Sequence, residues 1–135
     1  MESFSKIKFF FLITFLFCSK LCASEETITY QQILENPADL KLNLKYAKQE
    51  SDVGNYKQTI STLERLNIIY PENIEIKLYL LSILVQIDSP QQANTLINDI
   101  KLLKNLTNDD LQTVLELEAE IDERNIDKLW SVNLD

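Results

Sequence analysis

Few side chains in this sequence could carry out covalent or acid–base chemistry. The chain contains no histidine, and both of its cysteines, Cys18 and Cys22, lie within the first 24 residues. A nucleophile–histidine triad and a Cys/His zinc site therefore lack their essential groups. The densest carboxylate group, at 116–125, has the composition of a solvated helix face and no calcium-loop spacing. A carboxylate-based hydrolase stays open as an alternative, but we predict no enzyme activity, no metal and no cofactor.

Residues 1–24 have the pattern of a secretory signal peptide. Lys6 and Lys8 form a positive start, and an apolar core of ten residues follows at 9–18. Ten apolar residues are too few to span a bilayer as a helix, which needs about 20. We therefore predict export, with the mature protein in the periplasm.

The cleavage site follows from the short segment after the apolar core. We expect the cut after Ala23 or Ser24, which would remove both cysteines. An uncleaved anchor is one alternative. A lipid attached at Cys22 or Cys18 is another, although the residues before them are larger than lipid attachment favours.

The overall charge narrows the choice of partner. With 21 acidic and 13 basic side chains, the formal net charge is −8. Such a surface repels nucleic acid and anionic lipid headgroups, so we predict no nucleic-acid partner. One Gly and three Pro leave few interruptions, which favours a helical chain.

One pattern of residues occurs twice in the chain. Pro37 and Pro71 lie in the similar phrases ENPAD and YPENI. Their spacing, about 34 residues, is typical of helix–turn–helix repeats, and we call it the repeat period. A shift by one repeat period places apolar residues on apolar residues and turn formers on turn formers. The aligned pairs are Asp39 with Asn73, Leu44 with Leu78, Ala47 with Leu81, Gly54 with Asp88, Thr59 with Ala93, Leu63 with Ile97, and Leu66 with Ile100.

The residue pattern of each unit predicts two antiparallel helices joined by a turn. In the first unit, Pro37 is expected at the helix start and Gly54 at the break between the helices. In the second unit, Ser89 is expected as the N-cap and Pro90 as the first helical residue. The expected helices cover 38–52, 56–70, 74–87 and 90–103. The helix at 74–87 is apolar on all sides, which predicts that it is covered on more than one side.

Shorter elements flank the two units. Residues 27–35 predict a helix that is the second half of an incomplete repeat. Thr107 and Asp110 predict a capping box at the start of a helix over 107–124. The fold class is therefore all-α: a helix–turn–helix repeat solenoid over 25–125, with two full repeats plus capping helices.

These residues resemble the tetratricopeptide family. Tyr46-Ala47 match the large-then-small pair of its first helix, Gly54-Asn55-Tyr56 its inter-helix turn, and Pro71 its closing proline. Thr59 and Leu66 depart from the usual Ala at their positions. The resemblance implies a surface for binding a protein or peptide, in a groove formed by the first helices. The groove residues it implies are Lys41, Leu44, Lys48, Glu75, Leu78, Ser82 and Val85. The alternative is that Leu44, Leu78 and Val85 belong to the core.

The last residues change period. At 129–135 apolar and polar residues alternate, which is typical of a β-strand. The order of signal peptide, repeats and strand resembles the surface lipoprotein assembly modifiers, in which an outer-membrane barrel follows the repeats. The tail at 126–135 is thus expected to start a strand, or else to pack on the last helix.

Two functions follow as expectations. The first is a non-enzymatic periplasmic module that binds a protein segment. The alternative is the periplasmic domain of a truncated outer-membrane translocator, associated with outer-membrane components. The sequence does not determine the oligomeric state.

Overall fold

The structure, a computed structural model, describes residues 27–132. Over this range the chain forms α-helices joined by short turns and contains no strand. The helices are α1 (Tyr30–Glu35), α2 (Leu40–Asp52), α3 (Tyr56–Ile69), α4 (Ile74–Gln86), α5 (Pro90–Lys101) and α6 (Asn108–Val132). The predicted all-α class is confirmed. The signal peptide predicted at 1–24 lies outside the described residues.

Helices α2, α4 and α6 each begin behind a side chain that caps the first turn. Asp39 accepts a hydrogen bond from the Leu42 amide at 2.9 Å, and Asn73 accepts one from Ile76 at 3.1 Å. Each cap satisfies an N–H group that has no partner inside the helix. Before α6, the Thr107 hydroxyl accepts from the Asp110 amide, one repeat period beyond the cap of α4. The three helices therefore begin at the same position of successive repeat units.

The expected start at Pro37 is wrong by a few residues. Pro37 lies in the turn before Asp39, and α2 begins only at Leu40 because the Asp39 carboxylate caps it. Pro71 occupies the same place before Asn73 in the second unit. The predicted start of α5 is confirmed in position, with Ser89 at the N-cap and Pro90 in the first turn, but the Ser89 side chain makes no capping hydrogen bond.

Two turns separate the helices inside the units. Gly54 has φ 77° and Asp88 has φ 59°, both in the left-handed region. These two residues are one repeat period apart. A left-handed residue after the helix end reverses the chain, which is why glycine is favoured there.

The core lies around α4. Seven residues of this 13-residue helix are buried, and the helix packs against α3, α5 and α6. The prediction that it is covered on more than one side is confirmed. Around it, the main apolar cluster joins Ala47 and Leu63 of the first unit to Ile97, Val114 and others.

The end of the chain differs from the prediction. Helix α6 continues past 124 to Val132, so the strand expected from residue 129 is not formed over 129–132; residues 133–135 lie outside the described range. The helix contains no Gly or Pro that would interrupt it. It is also held from the side, since Arg124 donates a 2.6 Å hydrogen bond to the Val85 carbonyl. None of the helices between residues 27 and 132 has the length and hydrophobicity needed to cross a membrane.

Candidate binding cleft

Residues of α2 and α4 line an open cleft of about 470 Å³. The residues that line it are Lys41, Leu44, Lys45, Lys48, Glu75 and Tyr79. On α2, three- and four-residue spacing places the lining side chains on one helix face. Four of the seven groove residues predicted from the sequence are therefore together here: Lys41, Leu44, Lys48 and Glu75.

The floor of the cleft is apolar. Leu44 and Tyr79 are half-buried, and both pack against the main core cluster. Because the core holds them in place, they present a fixed apolar surface. A ligand that covered this surface would gain the free energy of apolar burial, about 25 cal/mol per Å².

The rim of the cleft is basic. Lys41, Lys45 and Lys48 are all exposed, and Glu75 is the acidic residue of the lining. Lys48 pairs with Asp52 at 3.2 Å, but both side chains are more than 60% exposed, so the pair contributes little to stability. Lys41 and Lys45 take part in none of the ion pairs within residues 27–132. The cleft is thus locally basic in a chain of net charge −8.

A second depression lies on the other side of Lys41 and Lys45. It measures about 270 Å³, and its lining includes Ile28, Gln32 and Leu42. The two lysines line both depressions, so they form a ridge between them. A bound segment that crossed this ridge would contact both ammonium groups.

The other three predicted groove residues do not line the cleft. Leu78 is half-buried and packs against the core. Ser82 is half-buried too, and its hydroxyl donates to the Tyr79 carbonyl at 2.7 Å. Val85 is buried within the main cluster and belongs to the core instead, because α6 passes over its end of α4.

Sequence reasoning missed two lining residues, Lys45 and Tyr79. Each lies four positions after a residue that was predicted, Lys41 and Glu75 respectively. Four-residue spacing on a helix places side chains on the same face, so this signal could have found both. The resemblance directed attention to Leu78, which is one residue before Tyr79 and turns towards the core.

Two titratable groups in the described chain have shifted pKa values. Burial raises the pKa of Tyr46, and the nearby Glu50 carboxylate adds to the effect. The pKa of Asp110 is lowered because the Thr107 amide, and then its hydroxyl, donate hydrogen bonds to the carboxylate. Between residues 27 and 132 no group of three or more acidic or cysteine side chains is arranged to hold a metal ion.

Comparison with protein-family models, with curated proteins and with solved structures finds no match. The class of the molecule therefore rests on its own geometry: an all-α chain whose helix starts and inter-helix turns recur with the repeat period, with an open cleft between two first helices.

Proposed function

We propose that this chain is a tetratricopeptide-type interaction module that binds an acidic, extended segment of a partner protein. The segment lies in the cleft between α2 and α4. In this proposal the two hairpins stack as a short solenoid, and their first helices form its inner surface. Residues 1–24 direct export, and the module works in the periplasm.

The observation that carries the proposal is the reversal of charge at the cleft. Three exposed lysines surround the apolar pair Leu44 and Tyr79 in a protein that is otherwise acidic. Apolar burial at such a pair supplies affinity, whereas surrounding charges mainly select the partner and speed its approach. A segment that alternates apolar and acidic residues satisfies both requirements.

The translocator alternative has less support. Its residue-level basis was the alternating pattern from residue 129, and residues 129–132 are helical. We therefore propose the interaction module alone.

Peptide selection tests the proposal. A random 12-residue phage library selected on the protein should yield peptides rich in Asp, Glu and large apolar residues. Binding of a selected peptide should weaken at least tenfold in Leu44→Glu and in the double variant Lys41→Glu/Lys45→Glu. Circular dichroism should show unchanged helix content in both.

Lys57→Glu is the control, because it makes one such Lys-to-Glu change at an exposed site on α3 that does not line the cleft. It should leave binding unchanged. Selected peptides without an acidic bias, or equal binding by Leu44→Glu and the unsubstituted protein, would contradict the proposal.

A further inference from the structure

Helix α6 stands where a third unit would begin. It starts at Asn108, one repeat period after Ile74, the start of α4, and two periods after Leu40, the start of α2. Residues at the same unit position can therefore be compared across the three helices.

One face of the first helix is covered in all three cases. Tyr46, Leu80 and Val114 share a unit position, and all three are buried. The helix that precedes each of them supplies the cover, since α1 packs on α2, α3 on α4, and α5 on α6.

The neighbouring face is covered only in the first two units. Ala47 and Leu81 are fully buried, whereas Leu115 at the same position is 50% exposed. In the first unit the cover is its own second helix, since the Thr59 hydroxyl of α3 donates to the Ala47 carbonyl at 3.3 Å. One turn earlier, Asn43 and Lys77 are buried but Leu111 is 40% exposed.

The uncovered face continues along α6. Ile126 is 53% exposed and Trp130 is 68% exposed. At about 100° of rotation per residue, these two side chains and the two leucines fall within a sector of about 100°. We define the open face of α6 by these four residues: Leu111, Leu115, Ile126 and Trp130. From first to last they span about 28 Å, enough for a helix of about 19 residues.

Acidic side chains accompany the open face. Asp122 is exposed within the sector of the open face, and the exposed Glu123, Glu116 and Asp127 follow beyond its Trp130 edge. The ion pairs of residues 27–132 include none of these four acids. If two copies packed through this face, the acids of one would meet the acids of the other. A partner with basic side chains meets no such repulsion.

We propose that the open face of α6 binds an amphipathic helix of a partner protein, with Lys or Arg beside its apolar stripe. The partner helix takes the position that α3 and α5 occupy in the first two units, and so completes the third. This site is separate from the α2–α4 cleft and does not depend on the function proposed for it.

A peptide taken from the chain itself tests the proposal. Residues 56–70 contain the second helix of the first unit, with Lys57 and Arg65. Added to the full chain as a synthetic peptide, this segment should bind and shift the fluorescence of Trp130 to shorter wavelength, because binding covers the indole. Trp130 is the single Trp of the chain, so the signal reports this face directly. A Glu64→Lys version of the peptide, which is more basic, should bind several-fold more tightly.

Variants of the protein make the assignment specific. Leu115→Glu and Ile126→Glu should each weaken peptide binding at least tenfold, with helix content unchanged by circular dichroism. Ile68→Glu, a change at an exposed apolar residue of α3, is the matched control and should leave binding unchanged. Leu44→Glu, in the other cleft, should also bind the peptide normally.

Three results would overturn the proposal. One is the absence of a fluorescence shift at millimolar peptide. Another is equal peptide binding by Leu115→Glu and the unsubstituted protein. The third is a fluorescence shift without peptide that grows with protein concentration and accompanies a dimer in sedimentation, which would assign the face to a second copy of the chain.

Discussion

Helices α4 and α6 begin alike and end differently. Both start at the same unit position, behind a side-chain cap, and both pack one face against the preceding helix. Yet α4 has 13 residues and α6 has 25. The contrast separates two kinds of information in the sequence. Caps and buried positions set where a helix begins and which face it buries, whereas its end depends on whether a residue such as Pro90 starts a new helix after it.

Of the two turn residues after α4, Asp88 has an identical counterpart in α6, Asp122, but Pro90 has none. Asp88 takes a positive φ and Pro90 opens the next helix. Asp122 and Arg124 occupy the same unit positions in α6, and both are helical. Arg124 instead donates to the Val85 carbonyl near the end of α4, and Lys128 pairs with Asp88. The end of α6 thus holds the turn that follows α4, whereas α6 has no such turn at the same unit position.

The largest expected change in stability is at the unit position that Leu81 and Leu115 share, which is buried in α4 and half exposed in α6. Leu81→Ala should lower the free energy of unfolding by about 2–5 kcal/mol, because it leaves a cavity in the core. Leu115→Ala, the same substitution at the same unit position, should cost less than about 1 kcal/mol because the side chain is half exposed. Urea unfolding followed by circular dichroism measures both. Equal losses would mean that the open face of α6 is already covered.

An intermediate effect concerns the turn position itself. Gly54→Ala should destabilise the protein by about 1 kcal/mol, because alanine is strained at the positive φ of this residue. At residue 122, two units further on, the order should reverse. There Asp122→Ala should be more stable than Asp122→Gly by about 1 kcal/mol, because glycine weakens a helix interior. Thermal unfolding of the three variants tests the reversal, and the same sign at both positions would show that α6 breaks near 122 in solution.

Much of this fold could be predicted from the sequence. The repeat period, the second-unit turn at Ser89-Pro90 and the capping box at Thr107 are local signals, and each corresponds to an observed element. The end of α6 could not be predicted in this way. The alternation from residue 129 favours a strand, but the helix before it continues without a break, and its hold on Val85 is a contact with a distant part of the sequence.

The cleft was predicted in part for a similar reason. Helical spacing finds which residues share a face, and it would have added Lys45 and Tyr79 to the predicted set. It does not tell which part of that face another helix covers. Val85 has the right spacing for the groove, but it is buried because α6 lies over that end of α4.

The smallest expected effect concerns the side-chain cap with which both helices begin, tested at the start of α6 through the pKa of Asp110. The pKa of Asp110 is lowered in the folded protein, so its carboxylate contributes stability above its ordinary value of 3.8. That contribution is lost as the pH falls through the lowered value. Thr107→Ala removes the hydroxyl but keeps the amide donor, so the pKa of Asp110 should move only part of the way back. NMR titration of the carboxyl group measures this, and an unchanged pKa would show that the hydroxyl does not hold the carboxylate.

Because three other helices pack against α4, its place in the core also determines the order in which the helices unfold. Helices α3, α5 and α6 all pack against it, so its amides reach solvent only after one of these neighbours has detached. Helix α1 has six residues and packs mainly on α2 among the described helices, so it loses little packing when it detaches. Opening therefore starts at the outermost of the described helices and moves inward. In a hydrogen-exchange experiment the amides of α4 should be the last to exchange, and their rate should report the stability of the whole domain.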